Sequence, residues 1–176
     1  MSQLHLQSLQ LGLPAISPIF GAFLAEATQV CLQAWGHKPG VRMQLGGNLE
    51  ENVEIWWEGF ISEQQARTWH DQQEATEYGA TGIAVMMILH YTPYTVVKRS
   101  VKGTGFDYWL GDAKGELPFQ ESARLEISGI FCGDEPLIRR RVNKKLKQIQ
   151  KSENTGLPAL VIVAEFSKPA AHFVQL

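Results

Sequence analysis

A mixed α/β domain built around one sheet is the fold class predicted from the sequence, and three observations carry the prediction. The second half of the chain reads helix, strand, strand, strand, helix, strand. Leu160-Val161-Ile162-Val163-Ala164 is apolar without alternation and bounded by turns, the pattern of a strand buried on both faces. Two acids, Asp107 and Glu126, each sit in the middle of an apolar or aromatic run. A carboxylate inside such a run is costly to bury unless a hydrogen bond, a partner or a metal compensates it. Between the two runs, Gly111, Asp112, Lys114, Gly115, Glu116 and Pro118 are turn and loop residues. The simplest arrangement is therefore two neighbouring strands, each placing one carboxylate on the same side of the sheet.

The 176 residues suit a single domain spanning residues 1–176, and a hydrophobic content of 44% is enough to build its core. A net charge of −2 makes no whole-chain demand for nucleic acid, so any basic surface has to be local. The isolated Cys31 and Cys132 form neither a disulfide framework nor a zinc pattern. Both are read as small buried thiols in a reducing compartment. Residues 1–13 lack the basic start and apolar run of a signal peptide, and the apolar run 83–89 is too short to span a bilayer. The expectation is a cytoplasmic protein with no membrane association.

Taken in order, residues 1–18 are Gln-rich, with Pro14 and Pro18 bracketing a helix start. Phe20, Phe23, Leu24, Ala27, Val30, Cys31 and Ala34 recur at helical spacing, which predicts a helix over 20–35 that the Gly and Pro residues of 36–40 terminate. Residues 41–45 and 53–59 flank a Gly46-Gly47-Asn48 turn as a hairpin, in which Trp56 and Trp57 point to opposite faces. Ser62 with Gln65 forms a capping box. The helix begun there continues, with or without a break, through 71–90, and its second half is apolar nearly all round and therefore buried. Gly79 and Gly82 weaken that helix but admit close approach of another backbone. Pro93 stops it, and residues 94–101, 106–111 and 123–131 follow as three strands. Asp134 caps a helix running to about residue 151, with Ile138, Val142, Leu146 and Ile149 as its core stripe. Its other faces carry Arg139, Arg140, Arg141, Lys144, Lys145, Lys147 and Lys151. Residues 167–176 read as an edge or tail.

The element order, with an acid on the second strand and Glu126-Ile127-Ser128 on the third, resembles the restriction-endonuclease-like fold, the PD-(D/E)xK nuclease superfamily, over residues 71–166. The resemblance implies an αβββαβ core, with residues 1–60 as a helix-plus-hairpin extension. It also implies metal-dependent phosphodiester hydrolysis of the DNA endonuclease type. Asp107, Glu126 and the main-chain carbonyl of Ile127 would then hold Mg²⁺ or Mn²⁺, since hard oxygen donors suit these ions. Glu77 on the first core helix would be a further acid, preferred to Glu74 because it lies nearer the buried half. The family's lysine after Glu-x is replaced here by Ser128. Either a cation reaches the site from elsewhere, or the domain is catalytically inactive and acts as a binding or assembly subunit. Lys102, Lys98, Arg99, Arg140 and Lys144 are the candidate cations. Arg140, Lys144 and Lys147 would hold backbone phosphates of DNA. A homo-oligomer or protein partner is a further implication, because cutting two strands takes two sites.

Plainer readings stand beside these. Asp107 can cap the Gly103-Thr104-Gly105 turn. Glu126 can pair with Arg124 or with an arginine of the next helix. Glu77 can be a surface acid, and the basic helix a solvated face. An α/β ligand-binding protein unrelated to nucleases is the third whole-chain reading. Residues 102–105 do not form a phosphate-binding loop of the Walker type, no nucleophile-elbow motif occurs, and the five histidines have no ligand spacing.

Overall fold

The computed structural model describes residues 1–115 and 120–176, so the predicted turn positions Glu116 and Pro118 lie outside the described residues. The strands are β1 (Ser2–His5), β2 (Val41–Gly47), β3 (Asn52–Trp56), β4 (Tyr94–Arg99), β5 (Tyr108–Asp112), β6 (Ala123–Ile130), β7 (Ala159–Glu165) and β8 (Ala170–Gln175). They form one mixed sheet in the order β1-β3-β2-β8-β7-β6-β5-β4. β4, β5 and β6 run antiparallel in succession, and β7 lies parallel to β6. The helices are α1 (Pro18–Ala34), α2 (Glu63–Thr68), α3 (Gln72–Tyr91) and α4 (Glu135–Ile149). No helix among the described residues is long and apolar enough to cross a membrane.

Alternation along β7 divides the core into two layers. Leu160, Ile162 and Ala164 pack with α1 and α3, while Ala159, Val161 and Val163 pack with Ile138, Val142 and Ile149 of α4. All seven residues of β7 are buried, as its unbroken apolar run predicts. β6 divides the same way. Leu125 and Ile127 face the α1–α3 layer and Ile130 faces α4, so Glu126 and Ser128 point towards α4.

Several boundaries differ from the sequence expectation. Residues 170–175 are not a tail: β8 is an interior strand, antiparallel to β7 and parallel to β2. Ala171 and Phe173 supply its buried alternation, too short a signal to stand out after Ser167-Lys168-Pro169. β1 closes the far edge of the sheet, parallel to β3. The expected hairpin forms between β2 and β3, so residues 1–60 extend the sheet. α4 ends at Ile149, and a 3₁₀ turn continues over Gln150–Thr155. Cys31 is buried, but Cys132 is exposed. Other local signals hold: the Ser62–Gln65 capping box, the Asp71 and Asp134 caps, and the Trp pair, with Trp57 buried and Trp56 half-buried.

Two glycines set how closely α3 approaches its neighbours. A Cβ on Gly82 would lie 2.3 Å from Thr28 Oγ1 of α1. That hydroxyl already donates to the carbonyl oxygens of Leu24 and Gly79, at 2.8 and 3.0 Å. A Cβ on Gly129 of β6 would lie 2.5 Å from the Thr76 carbonyl oxygen. Main chain on main chain cannot yield by a rotamer change, so Gly129→Ala is expected to push α3 off the sheet. The loss should be at least about 1–3 kcal/mol, the scale of overpacking, read by urea denaturation. Because α3 carries Glu77, the same substitution displaces one wall of the cleft described next.

Candidate active site

The acids come together where β5 begins. The Asp107 amide donates to the Leu125 carbonyl at 2.8 Å, and the β5–β6 ladder starts at the next pair, Tyr108 with Leu125. Past Leu125, the edge of β6 that faces β5 has no strand beside it. Main-chain groups of alternate residues point to the same side of a strand, so Ile127 and Gly129 turn theirs into this gap. Asp107 fills its start: Oδ2 accepts the Ile127 amide at 2.8 Å. Arg141 fills its far end, donating from Nη1 to the Gly129 carbonyl at 3.1 Å. The Ile127 carbonyl faces the gap between them. Asp107 is thus held by β6 rather than by the preceding glycine turn.

Glu126 is 1% exposed and carries an incompletely satisfied carboxylate. Its Oε1 accepts from Lys145 Nζ, and from Gln148 Nε2 at 2.9 Å. Its Oε2 is buried with no hydrogen-bond partner among the described residues. Burial first, and then the neighbouring negative charge of Asp107, push the Glu126 carboxyl from 4.5 up to about 7, against the opposing pull of Lys145. Glu165, equally buried on β7, makes the contrast. Its Oε1 accepts from the amides of Gly133 and Ser167, at 3.1 and 2.8 Å, and its Oε2 from the Lys168 amide at 2.9 Å. Glu165 is a structural anion with both oxygens paired. Glu126 has one buried oxygen without a donor among the described residues, next to the Asp107 carboxyl.

α4 supplies the cations. Arg141, Lys145 and Gln148 recur at i, i+4 and i+7 alongside the core stripe of Ile138, Val142 and Ile149, so they form one row turned onto β6. Arg141 Nη1 donates to Ser128 Oγ at 2.8 Å, which seats a guanidinium at the position of Ser128. Lys145 Nζ sits on Glu126 and lies 3.4 Å from Gln148 Oε1. Sequence reading grouped Arg141 and Lys145 with the general basic face and passed over Gln148; their shared spacing was the available signal.

The cations named from sequence fall elsewhere or at the rim. Lys102 is exposed in the turn before Asp107 and does not line the cleft. Lys98 is bound to Glu121 at 2.9 Å on the surface. Arg140 and Lys147 are exposed outside the cleft. Arg99 and Lys144 do line it, with the Arg99 guanidinium 5.9 Å from the Tyr108 ring centroid. Arg124 does not pair with Glu126. It donates to the carbonyl oxygens of Ile149 and Leu157 and to Ser152 Oγ, tying down the end of α4.

Above Asp107, Ile127 and Ser128 lies a cleft of about 810 Å³, walled by α3, β6 and α4; Glu126 lies beneath its lining, 1% exposed. Glu77 lines it from α3, whereas Glu74 does not; Gln73 Nε2 donates to Glu77 Oε1 at 3.2 Å. Among the described residues no three His, Cys, Asp or Glu side chains gather into one group. Two carboxylates, Asp107 and Glu126, and the Ile127 main-chain carbonyl are the oxygens that could hold an ion here. Such a set of hard oxygens fits a divalent ion of the Mg²⁺ or Mn²⁺ kind, and the unpaired Glu126 oxygen is the observation that favours one. Comparison with protein-family models, curated proteins and solved structures finds no match.

Proposed function

We propose that this protein is a metal-dependent phosphodiester hydrolase acting on DNA, with a core of the restriction-endonuclease-like type over residues 71–166. The order α3-β4-β5-β6-α4-β7, three antiparallel strands followed by one parallel to the third, supports that core. The observation that carries the function is the buried Glu126 with its unpaired oxygen next to Asp107. A buried carboxylate with one oxygen unpaired beside a second carboxylate is costly, and a divalent ion would offset that cost.

Asp107, Glu126 and the Ile127 carbonyl would hold Mg²⁺ or Mn²⁺. When bound, such an ion lowers the pKa of water and neutralises charge on a phosphate. The chain's own groups do the rest. The Ile127 amide fixes the rotamer of Asp107. Gln148 orients Glu126, and Lys145 favours its ionised form. Lys145 also provides the ammonium that Ser128 lacks, and this favours the active enzyme over the inactive binding subunit. Among the described residues Arg141 donates only from Nη1, so its other donors can grip a phosphate bidentately. Glu77 faces the same cleft and is suited to orient an attacking water.

Supercoiled plasmid incubated with Mg²⁺ or Mn²⁺ tests this reading. Cleavage is expected, should vanish with chelator, and should fall below detection in Asp107→Asn. Cleavage by that variant at the wild-type rate, or no metal-dependent cleavage by the wild type, would exclude the proposal.

A further inference from the structure

The cleft is flanked by an aromatic hollow that the acid pair does not use. This hollow of about 500 Å³ shares Gln72 and Phe131 with the cleft wall, so the two adjoin. Its outer lip is Phe60, a large apolar side chain left 82% exposed in the segment between β3 and α2. Its inner wall is Phe131, fixed where Trp35 Nε1 donates to the Phe131 carbonyl at 3.0 Å and the two rings lie 5.3 Å apart. Trp69 closes the base, anchored by Nε1 donating to Glu26 at 2.8 Å. The cleft beside it is lined by the cations Arg99, Arg141 and Lys144, while the exposed ring is Phe60 at the lip of the hollow and Tyr108 is buried. Cations tracking a backbone, alternating with rings that bases can stack on, are the means of holding unpaired nucleic acid. Bases paired in a duplex have no free face to offer such rings.

Resting on the proposed phosphodiester chemistry, we propose that the substrate reaches Asp107 and Glu126 as an unpaired DNA strand. One of its bases occupies the hollow behind Phe60 while its backbone lies along the cleft. The charge of the cleft wall and the exposed ring of Phe60 at the adjoining hollow select this occupant. An uncharged protein segment would leave these cations without a counter-charge.

The test uses the full chain with Ca²⁺ in place of Mg²⁺ and a fluorescent oligonucleotide, offered as a single strand, as a blunt duplex and as a duplex with a single-stranded overhang. The single strand and the overhang should bind about tenfold or more tighter than the blunt duplex at equal salt, the value of roughly one base–aromatic stack. Phe60→Ala should remove about tenfold of that affinity and leave duplex binding unchanged; its exposure makes a folding defect no obstacle. Equal or tighter binding of the blunt duplex, or indifference to Phe60→Ala, overturns the inference. Cleavage of duplex and single strand at equal rates, lost in Asp107→Asn, would keep the hydrolase and remove the strand preference. Phe60-dependent single-strand binding without metal-dependent cleavage would keep the strand preference and remove the hydrolase.

Discussion

Glu126→Gln is expected to make the metal-free protein more stable at pH 8, by up to about 3 kcal/mol, while abolishing cleavage. The carboxyl is raised from 4.5 to about 7 by burial and by Asp107, and each tenfold change in an ionisation constant corresponds to about 1.4 kcal/mol. Because the folded value lies above the unfolded one, the protonated form favours folding. That contribution is complete below pH 4.5 and is lost as pH rises through about 7. At pH 8 the wild type therefore carries an ionised, half-paired carboxylate that Gln does not. The amide keeps the bonds to Lys145 and Gln148 and offers its N–H to Asp107. A gain of this size should appear as roughly 5–10 °C in Tm for a chain of this length. The pH dependence between 4.5 and 7 should flatten in the variant. A variant less stable than the wild type at pH 8 would mean that Glu126 is a structural anion like Glu165.

Lys145→Met is expected to reduce the single-turnover cleavage rate by about 10²–10³-fold, the scale of removing one donor aimed at developing charge. It should also move the pH profile upwards. Lys145 pulls the Glu126 carboxyl down against burial and Asp107, so its removal raises that carboxyl further. The ionised form needed for metal then appears only at higher pH. A merely structural lysine would lower stability without moving the profile. Lys102→Ala, outside the cleft lining, should leave both rate and profile unchanged. Equal defects in the two variants would return the role of the missing lysine to the turn before Asp107.

The architecture was legible because its signals are local. The unbroken apolar run of 160–164, the caps at Asp71 and Asp134 and the stop at Pro93 are short-range patterns, and each specifies an element by itself. The two acids were legible for the same reason, as charges inside apolar runs. β8 was not legible, because two buried residues in alternation are a weak signal and its neighbours, β2 and β7, lie elsewhere in the sequence. The cation of the site was lost in a similar way. Seven basic residues crowd the 139–151 stretch, and only the packing of α4 on β6 decides that Arg141 and Lys145 face inwards while Arg140 and Lys147 face out. Ser128 marked where a cation was absent from the strand. The sheet contact at Gly129, which admits α3, and the row on α4 are long-range facts.

Calorimetric titration of Mn²⁺ into the metal-free protein tests the central claim, that Asp107 and Glu126 form a cation site. The wild type should bind with release of protons near pH 7, because Glu126 is partly protonated there and must ionise to ligate. Asp107→Asn and Glu126→Gln should show no binding heat. Absence of binding by the wild type, or undiminished binding by both variants, would contradict the account.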